Sequence, residues 1–301
     1  MSKLPPLHFY KGPTPLPPPV TDEAIDALKT FEYRDGDVLI ASYPKCGTHW
    51  SNEVVQLILH DGDPTKLDHR HRRACLEIKD VQDFRKLDQV KPTVELVKTD
   101  PSPRVLMTHL GPSYLSEDTW KRRIPIVFIF RDPRDVVVSE YNFLKKFLGV
   151  DGQPVMKEDS FDEFLEGFIS DHVGYGNWCD HALAYEKKAT EGENILFVTY
   201  EDMKKDLPTV VRSIASHIGQ EISDEVVAKV VANSGIEAMK RNYQEASKTQ
   251  ENANLHLSNF VNKGVAGQWK TDFSGDKFTK FNDTFKERVK DSVYAKRYFD
   301  E

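Results

Sequence analysis

Four short apolar runs recur along the chain, each followed by polar residues and then by a stretch in which apolar side chains return every three or four positions. The first, Val38-Leu-Ile-Ala-Ser-Tyr43, is bounded by Asp35-Gly-Asp37 and Pro44, the pattern of a strand buried on both faces of a parallel sheet. Beyond it Trp50, Val54, Val55, Ile58 and Leu59 fall at helical spacing. That spacing predicts a helix with Thr48 as N-cap, closing near Asp61-Gly62. The same order of strand, loop and helix recurs at 104–108, 124–130 and 195–199. Such alternation predicts an α/β fold with a central, mostly parallel sheet flanked by helices. Ligands of such sheets bind beyond the carboxyl ends of the strands. Here those ends read Pro44-Lys45-Cys46-Gly47-Thr48, His109, Arg131 and Tyr200.

No internal repeat and no Gly/Ser-rich linker divides the chain, so the expected organisation is a proline-rich N-terminal segment over 1–20 and one domain over 21–301. Charge then narrows the partners. With 41 basic and 48 acidic residues the net charge is −7, so no global cationic field recruits nucleic acid or an anionic membrane, and anion binding has to be local. The longest apolar runs are strand-sized, and residues 1–20 lack the apolar core of a signal peptide. Cys46, Cys75 and Cys179 form no C-x-x-C pair, which agrees with a reducing compartment. The expected location is the cytoplasm.

Three segments carry candidate chemistry. Tyr43-Pro-Lys-Cys-Gly-Thr-His-Trp50 joins a strand, a glycine-containing turn and a helix N-terminus, the parts of a phosphate cradle. Lys45 adds a charge, and Thr48 and His49 add side-chain donors. The same residues also describe a tight turn closed by Gly47 beside a solvated Lys45. In Ile129-Phe-Arg-Asp-Pro-Arg-Asp-Val-Val-Val-Ser139, Arg131 leaves a strand and Ser139 sits in the helix that Pro133 opens. Arg131 could fork onto a phosphate, or pair with Asp135 at the surface. Asn259-Phe-Val-Asn-Lys-Gly-Val-Ala-Gly-Gln-Trp-Lys270 places Lys263 beside Gly264 in a loop that allows close backbone approach.

Taken together, these segments resemble the cytosolic sulfotransferase family over nearly the whole chain from Phe31. The first resembles that family's Y-P-K-S-G-T-x-W loop for the 5′-phosphosulfate, Arg131 and Ser139 its 3′-phosphate pair, and 260–270 its F-x-R-K-G-x-x-G-D-W-K segment. The resemblance implies a P-loop-like phosphate-binding loop and transfer of a sulfuryl group from 3′-phosphoadenosine 5′-phosphosulfate (PAPS, leaving PAP) to a phenol, alcohol, steroid or amine, with no metal. It assigns the nucleotide to Lys45, Cys46, Gly47, Thr48, His49, Trp50, Arg131, Ser139, Tyr200, Ser234, Met239, Phe260, Asn262, Lys263 and Gly264. It makes His109, in Leu106-Met-Thr-His-Leu110, the base that deprotonates the acceptor, and Lys45 the group that stabilises the leaving phosphate. Cys75, Ile78 and Phe143 fall where that family lines its acceptor pocket, and they read equally as core residues.

Some positions depart from the family pattern. Asn262 replaces an arginine, Met107 a lysine, Cys46 a serine, and Ser274, Gly275 and Thr279 alter the segment through which relatives form a homodimer. Asn262 and Met107 would also suit a nucleotide-binding relative without turnover, against which His109 and Lys45 stand. A small-molecule kinase would share the topology, but it requires a G-x-x-x-x-G-K-[ST] loop that the sequence lacks. His172, Cys179 and His181 match no compact zinc spacing and are expected on a helix surface. The basic run His69-Arg-His-Arg-Arg73 is expected to be a solvated face or a pocket rim that steers an acidic acceptor. Asp35-Gly-Asp37 and Asp61-Gly-Asp63 are expected at turns.

Overall fold

The two most apolar runs occupy the middle of a four-stranded parallel sheet. In the computed structural model, which describes residues 7–67, 74–80, 84–147, 152–156, 161–248, 266–271, 273 and 275–300, a short antiparallel pair comes first, β1 (His8–Phe9) and β2 (Pro15–Leu16). The sheet follows as β3 (Val38–Ser42), β4 (Val105–Thr108), β5 (Ile126–Phe130) and β6 (Ile195–Thr199), ordered β4-β3-β5-β6 and parallel throughout. All residues of β3 and β5 are buried, as central strands covered by helices on both faces must be. The run at 124–130 begins its strand two residues later than its apolar pattern, at Ile126.

Each strand delivers a short loop and a helix at its carboxyl end. The Thr48–Leu59 helix follows β3, the Pro133–Leu144 helix follows β5, and the Tyr200–Lys205 helix abuts β6. Because β3, β5 and β6 are neighbours, three helix N-termini converge on one edge of the sheet. Asp132 caps the second, accepting from the Arg134 amide, and Thr199 caps the third, accepting from the Asp202 amide.

The first helix differs from its sequence reading at one position. Its N-cap is Gly47, with φ at 106°, and Thr48 is its first helical residue, its hydroxyl 2.7 Å from that of Ser42. A turn this tight after β3 needs the left-handed backbone that glycine adopts without strain. At the other end Asp61 and Gly62 take left-handed φ values, and the Gly62 amide returns to the Leu57 carbonyl at 2.8 Å, closing the helix where the sequence indicates.

The described part of the proline-rich segment packs onto the core: Leu16 and Val20 are fully buried, Pro15 accepts from the Tyr175 amide at 2.8 Å, and Val20 bridges to Ile78. Of the two Asp-Gly-Asp stretches, Asp37 forms a buried ion pair with Arg104, whose Nε donates to it at 3.0 Å, fastening the starts of β3 and β4. Asp63 caps the turn at Pro64–Lys66, accepting from the Thr65 amide. Among the described residues no helix is long and apolar enough to cross a membrane.

Candidate active site

The loop after β3 is wound tightly. Lys45 has φ at 65° and Gly47 at 106°, and a Cβ at Gly47 would stand 2.9 Å from Cδ2 of Tyr200. Glycine is therefore required twice, for its backbone and for its lack of a side chain. No side chain caps the helix that starts here, so its first amides and positive dipole end are offered to an anion. Cys46 is fully buried and burial pushes its thiol up, so its side chain belongs to the core while its backbone belongs to the loop. His49 and Trp50 lie half-buried on the first turn. Burial, with Lys45 and His109 nearby, holds His49 near 3, hence neutral.

The end of β5 is fastened to this loop. Arg131 Nη1 donates to the Lys45 carbonyl at 2.9 Å, and the guanidinium lies 4.4 Å over the Tyr200 ring. The Arg131–Asp135 pair is 4.0 Å long and buried, where the sequence allowed a surface pair. Trp50 and Tyr200 meet edge to face at 5.4 Å; the family resemblance implies a nucleotide base stacked between these two rings, which needs about 7 Å, two stacking distances, so seating one there requires the rings to part. Ser139 sits half-buried in the second turn of its helix.

Two further segments pack beside the helix that follows β3. Ser234 ends the Asp224–Asn233 helix, its buried hydroxyl without a partner among the described residues, and Met239 is buried in the Ile236–Lys248 helix. Both lie along the Thr48–Leu59 helix, because Asn233 donates to the Gly62 carbonyl at 2.9 Å and Asn242 to Glu53 at 3.3 Å. Phe260, Asn262, Lys263 and Gly264 lie outside the described residues, as does the basic run 69–73. Where that third segment resumes, the amides of Gly267 and Trp269 donate to Asp135 at 2.6 and 3.0 Å, which anchors it on the first turn of the Arg131 helix.

His109 stands at the end of β4 with its ring orientation set. Its Nδ1 lies 2.9 Å from the Ser42 carbonyl. A carbonyl only accepts, so Nδ1 carries the hydrogen and Nε2 is left with a lone pair. Burial, with a smaller contribution from Lys45, lowers His109 to about 4 against the opposing Ser42 bond. The imidazole is therefore neutral at physiological pH. Its amide donates to Glu77 Oε1 at 2.8 Å while the Thr108 hydroxyl donates to Glu77 Oε2 at 2.9 Å, and the ring packs edge-on against Tyr175. His181 Nε2 donates to the His109 carbonyl at 2.9 Å.

Lys45 faces the same space, its ammonium 3.6 Å from the centre of the Phe143 ring. Burial lowers it to about 7, with Glu140 opposing and Lys146 and Arg131 adding to the fall. Of the expected pocket residues, Phe143 thus reaches the site. Cys75 is buried within electrostatic reach of Tyr175, and Ile78 is half-buried in its bridge with Val20.

A family model described as "Sulfotransferase domain" matches residues 35–293. The chain belongs to the sulfotransferase family. Sulfotransferase 1E1 of Cavia porcellus is 33% identical over 277 residues, spanning 90% of this chain and 89% of the relative. Sulfotransferase 1E1 of Homo sapiens is 32% identical over 270 residues, spanning 89% and 88%. Among solved structures, a mouse sulfotransferase, SULT7A1, complexed with PAP superposes with a TM-score of 0.74 at 26% identity, covering 97% of each chain. A retinol dehydratase in a complex with retinol and PAP superposes at 0.66 and 25% identity, covering 89% and 86%. The enzyme is a PAPS-dependent sulfotransferase of α/β fold.

In this sulfotransferase several residues that touch the site escaped the sequence reading. Cys179 and His181 were expected on a helix surface, yet both are buried; His181 supports His109 from behind, and only His172 is exposed. Glu77 lay in view as a charged residue inside an apolar stretch, a signal that a buried partner awaits it. Glu140 carried the same signal, an acid three residues before Phe143 on one helical face. Tyr175 follows no motif and is placed by tertiary structure alone.

Proposed function

We propose that this sulfotransferase moves a sulfuryl group in line from PAPS to the hydroxyl or amine of a small-molecule acceptor, with His109 as general base and Lys45 at the leaving phosphate. The observation that carries the reading is the bond from His109 Nδ1 to the Ser42 carbonyl, which leaves a neutral, lone-pair-bearing Nε2 at the ligand edge of the sheet. Nε2 takes the acceptor proton as the acceptor oxygen or nitrogen bonds to sulfur. The bond from sulfur to the bridging phosphate oxygen breaks, and its electron pair stays on that oxygen, where Lys45 and the uncapped helix N-terminus at Gly47 meet the charge.

The residues present fit the nucleotide. Lys45, Cys46, Gly47, Thr48 and His49 would hold the 5′-phosphosulfate, Arg131 and Ser139 the 3′-phosphate, and Trp50, Tyr200, Ser234 and Met239 the adenosine. The partnerless Ser234 hydroxyl and the uncapped helix are donors in want of an acceptor. The PAP complex of the mouse relative and the retinol complex of the dehydratase support a small-molecule acceptor beside PAPS.

Transfer of label from sulfur-labelled PAPS to a panel of phenols, steroids, aliphatic alcohols and amines, with EDTA present, tests the reading. Labelled product from at least one class is expected. Tight PAP binding with no product from any class would contradict it.

A further inference from the structure

Every polar group of His109 except Nε2 is committed to the fold. Its carbonyl accepts from His181, its Nδ1–H reaches Ser42, and its amide donates to Glu77. Glu77 is fully buried and divides its two oxygens. Oε1 accepts from the His109 amide at 2.8 Å and Oε2 from the Thr108 hydroxyl at 2.9 Å, while Thr108 Oγ1 in turn accepts from the Leu110 amide at 3.1 Å. One carboxyl therefore fixes Thr108, His109 and Leu110, the stretch in which β4 ends. Tyr175, whose ring packs edge-on against His109, interacts through its hydroxyl with the same carboxyl.

The segment that carries Glu77 is itself tied down on both sides. The Leu76 amide donates to the Met107 carbonyl of β4 at 2.7 Å, the Thr93 amide donates to the Ile78 carbonyl at 3.0 Å, and Ile78 bridges to Val20. As a device for stability alone the arrangement is poor. No cation pairs with the carboxyl among the described residues, and burial raises it to about 7 against the bonds from His109 and Thr108. What those bonds supply is direction. The imidazole meets Ser42, the last residue of β3, only while the backbone of residue 109 keeps its present orientation. A turn of that backbone breaks the bond to the Ser42 carbonyl and frees the ring to carry its hydrogen on either nitrogen.

From this placement we infer that Glu77 is a positioning residue of the transfer reaction: by holding the His109 amide and the Thr108 hydroxyl it keeps the imidazole bonded to Ser42, and so keeps the Nε2 lone pair available to the acceptor. The inference rests on reading His109 as the base.

Glu77→Ala, Glu77→Gln, His109→Ala and the double variant Glu77→Ala/His109→Ala are compared with the parent in single-turnover transfer from labelled PAPS, with PAP affinity reporting that each is folded. NMR of protein carrying isotope-labelled histidine reads which ring nitrogen of His109 holds the hydrogen, the His109→Ala spectrum assigning the signal. Glu77→Ala is expected to slow transfer by about 10- to 100-fold, the scale of a misplaced reacting group, with PAP affinity within a few-fold of the parent and the His109 ring mixed between its two tautomers. Glu77→Gln, which keeps an oxygen for the His109 amide, recovers most of the rate, and the double variant is no slower than His109→Ala. Parental transfer or a parental ring signal in Glu77→Ala overturns the inference, as does a double variant whose losses add. If Glu77→Ala does not bind PAP, Thr108→Val, which removes one of the two donors at nearly constant volume, takes its place, and an unchanged rate and ring signal there overturn the inference. If His109→Ala transfers at the parental rate, the reading of the base is what fails, and the ring signal alone decides the role of Glu77: a parental signal overturns it and a mixed one upholds it.

Discussion

Arg131 donates from Nη1 to the main-chain oxygen of Lys45 at 2.9 Å. One side chain thereby ties the loop after β5 to the loop after β3 and holds Lys45 in its left-handed conformation at φ 65°. The cation proposed for the 3′-phosphate also braces the residue proposed for the 5′-phosphate. Arg131→Ala is expected to weaken PAP binding by more than one lost phosphate contact, at least ~1.5–3 kcal/mol for a charge-assisted bond. Arg131→Lys recovers only part of this, since an ammonium cannot fork to two acceptors in one plane. Titration calorimetry with PAP checks both, and an alanine variant binding like the parent would contradict the assignment.

Gly47 meets two demands that separate by mutation. Its φ of 106° strains any side chain, and a Cβ would stand 2.9 Å from Tyr200. Gly47→Ala is expected to cost about 1–3 kcal/mol from the backbone alone, with a further loss from the clash. Adding Tyr200→Ala should recover the clash and leave the backbone cost. Urea unfolding midpoints of the two single variants and the double variant measure the partition; a double variant with purely additive losses would remove the proposed contact.

The pH profile follows from three groups whose shifts share a first cause, burial. His109 is lowered to about 4 and Lys45 to about 7. The base is therefore unprotonated above about 4, and acid weakens it only as pH falls toward that value. Lys45 loses its charge as pH rises through 7, and Glu140, raised to about 8, gains a negative charge soon after. Both changes oppose an anionic donor, so kcat/KM for PAPS is expected to fall above neutrality. Lys45→Arg, whose charge persists, should move the fall upward toward the Glu140 step. A profile for the parent that stays flat from pH 6 to 9 would contradict this account.

The elements were legible where one local signal decided them. β3 and β5 read as continuous apolar runs, Pro133 marked its helix start, and the left-handed pair Asp61-Gly62 marked a helix end. The residue before Thr48 was harder: Thr48 is a good capping residue, but the turn required a left-handed N-cap, and geometry overrode side-chain preference in favour of Gly47. At the candidate site, residues inside motifs could be named from the sequence and residues placed by tertiary contact could not. His181 reaches His109 across 72 positions of sequence, and Glu77 reaches it across 32; no spacing rule connects them. Cys179 and His181 read as surface because their helix carries charged residues between its buried ones.

The central claim is that His109 takes the acceptor proton. Single-turnover transfer from labelled PAPS, with PAP affinity measured alongside, tests it in His109→Ala. The account predicts a fall of about 10²–10⁴ in the transfer rate with PAP affinity within a few-fold of the parent. Transfer at the parental rate in His109→Ala would contradict it.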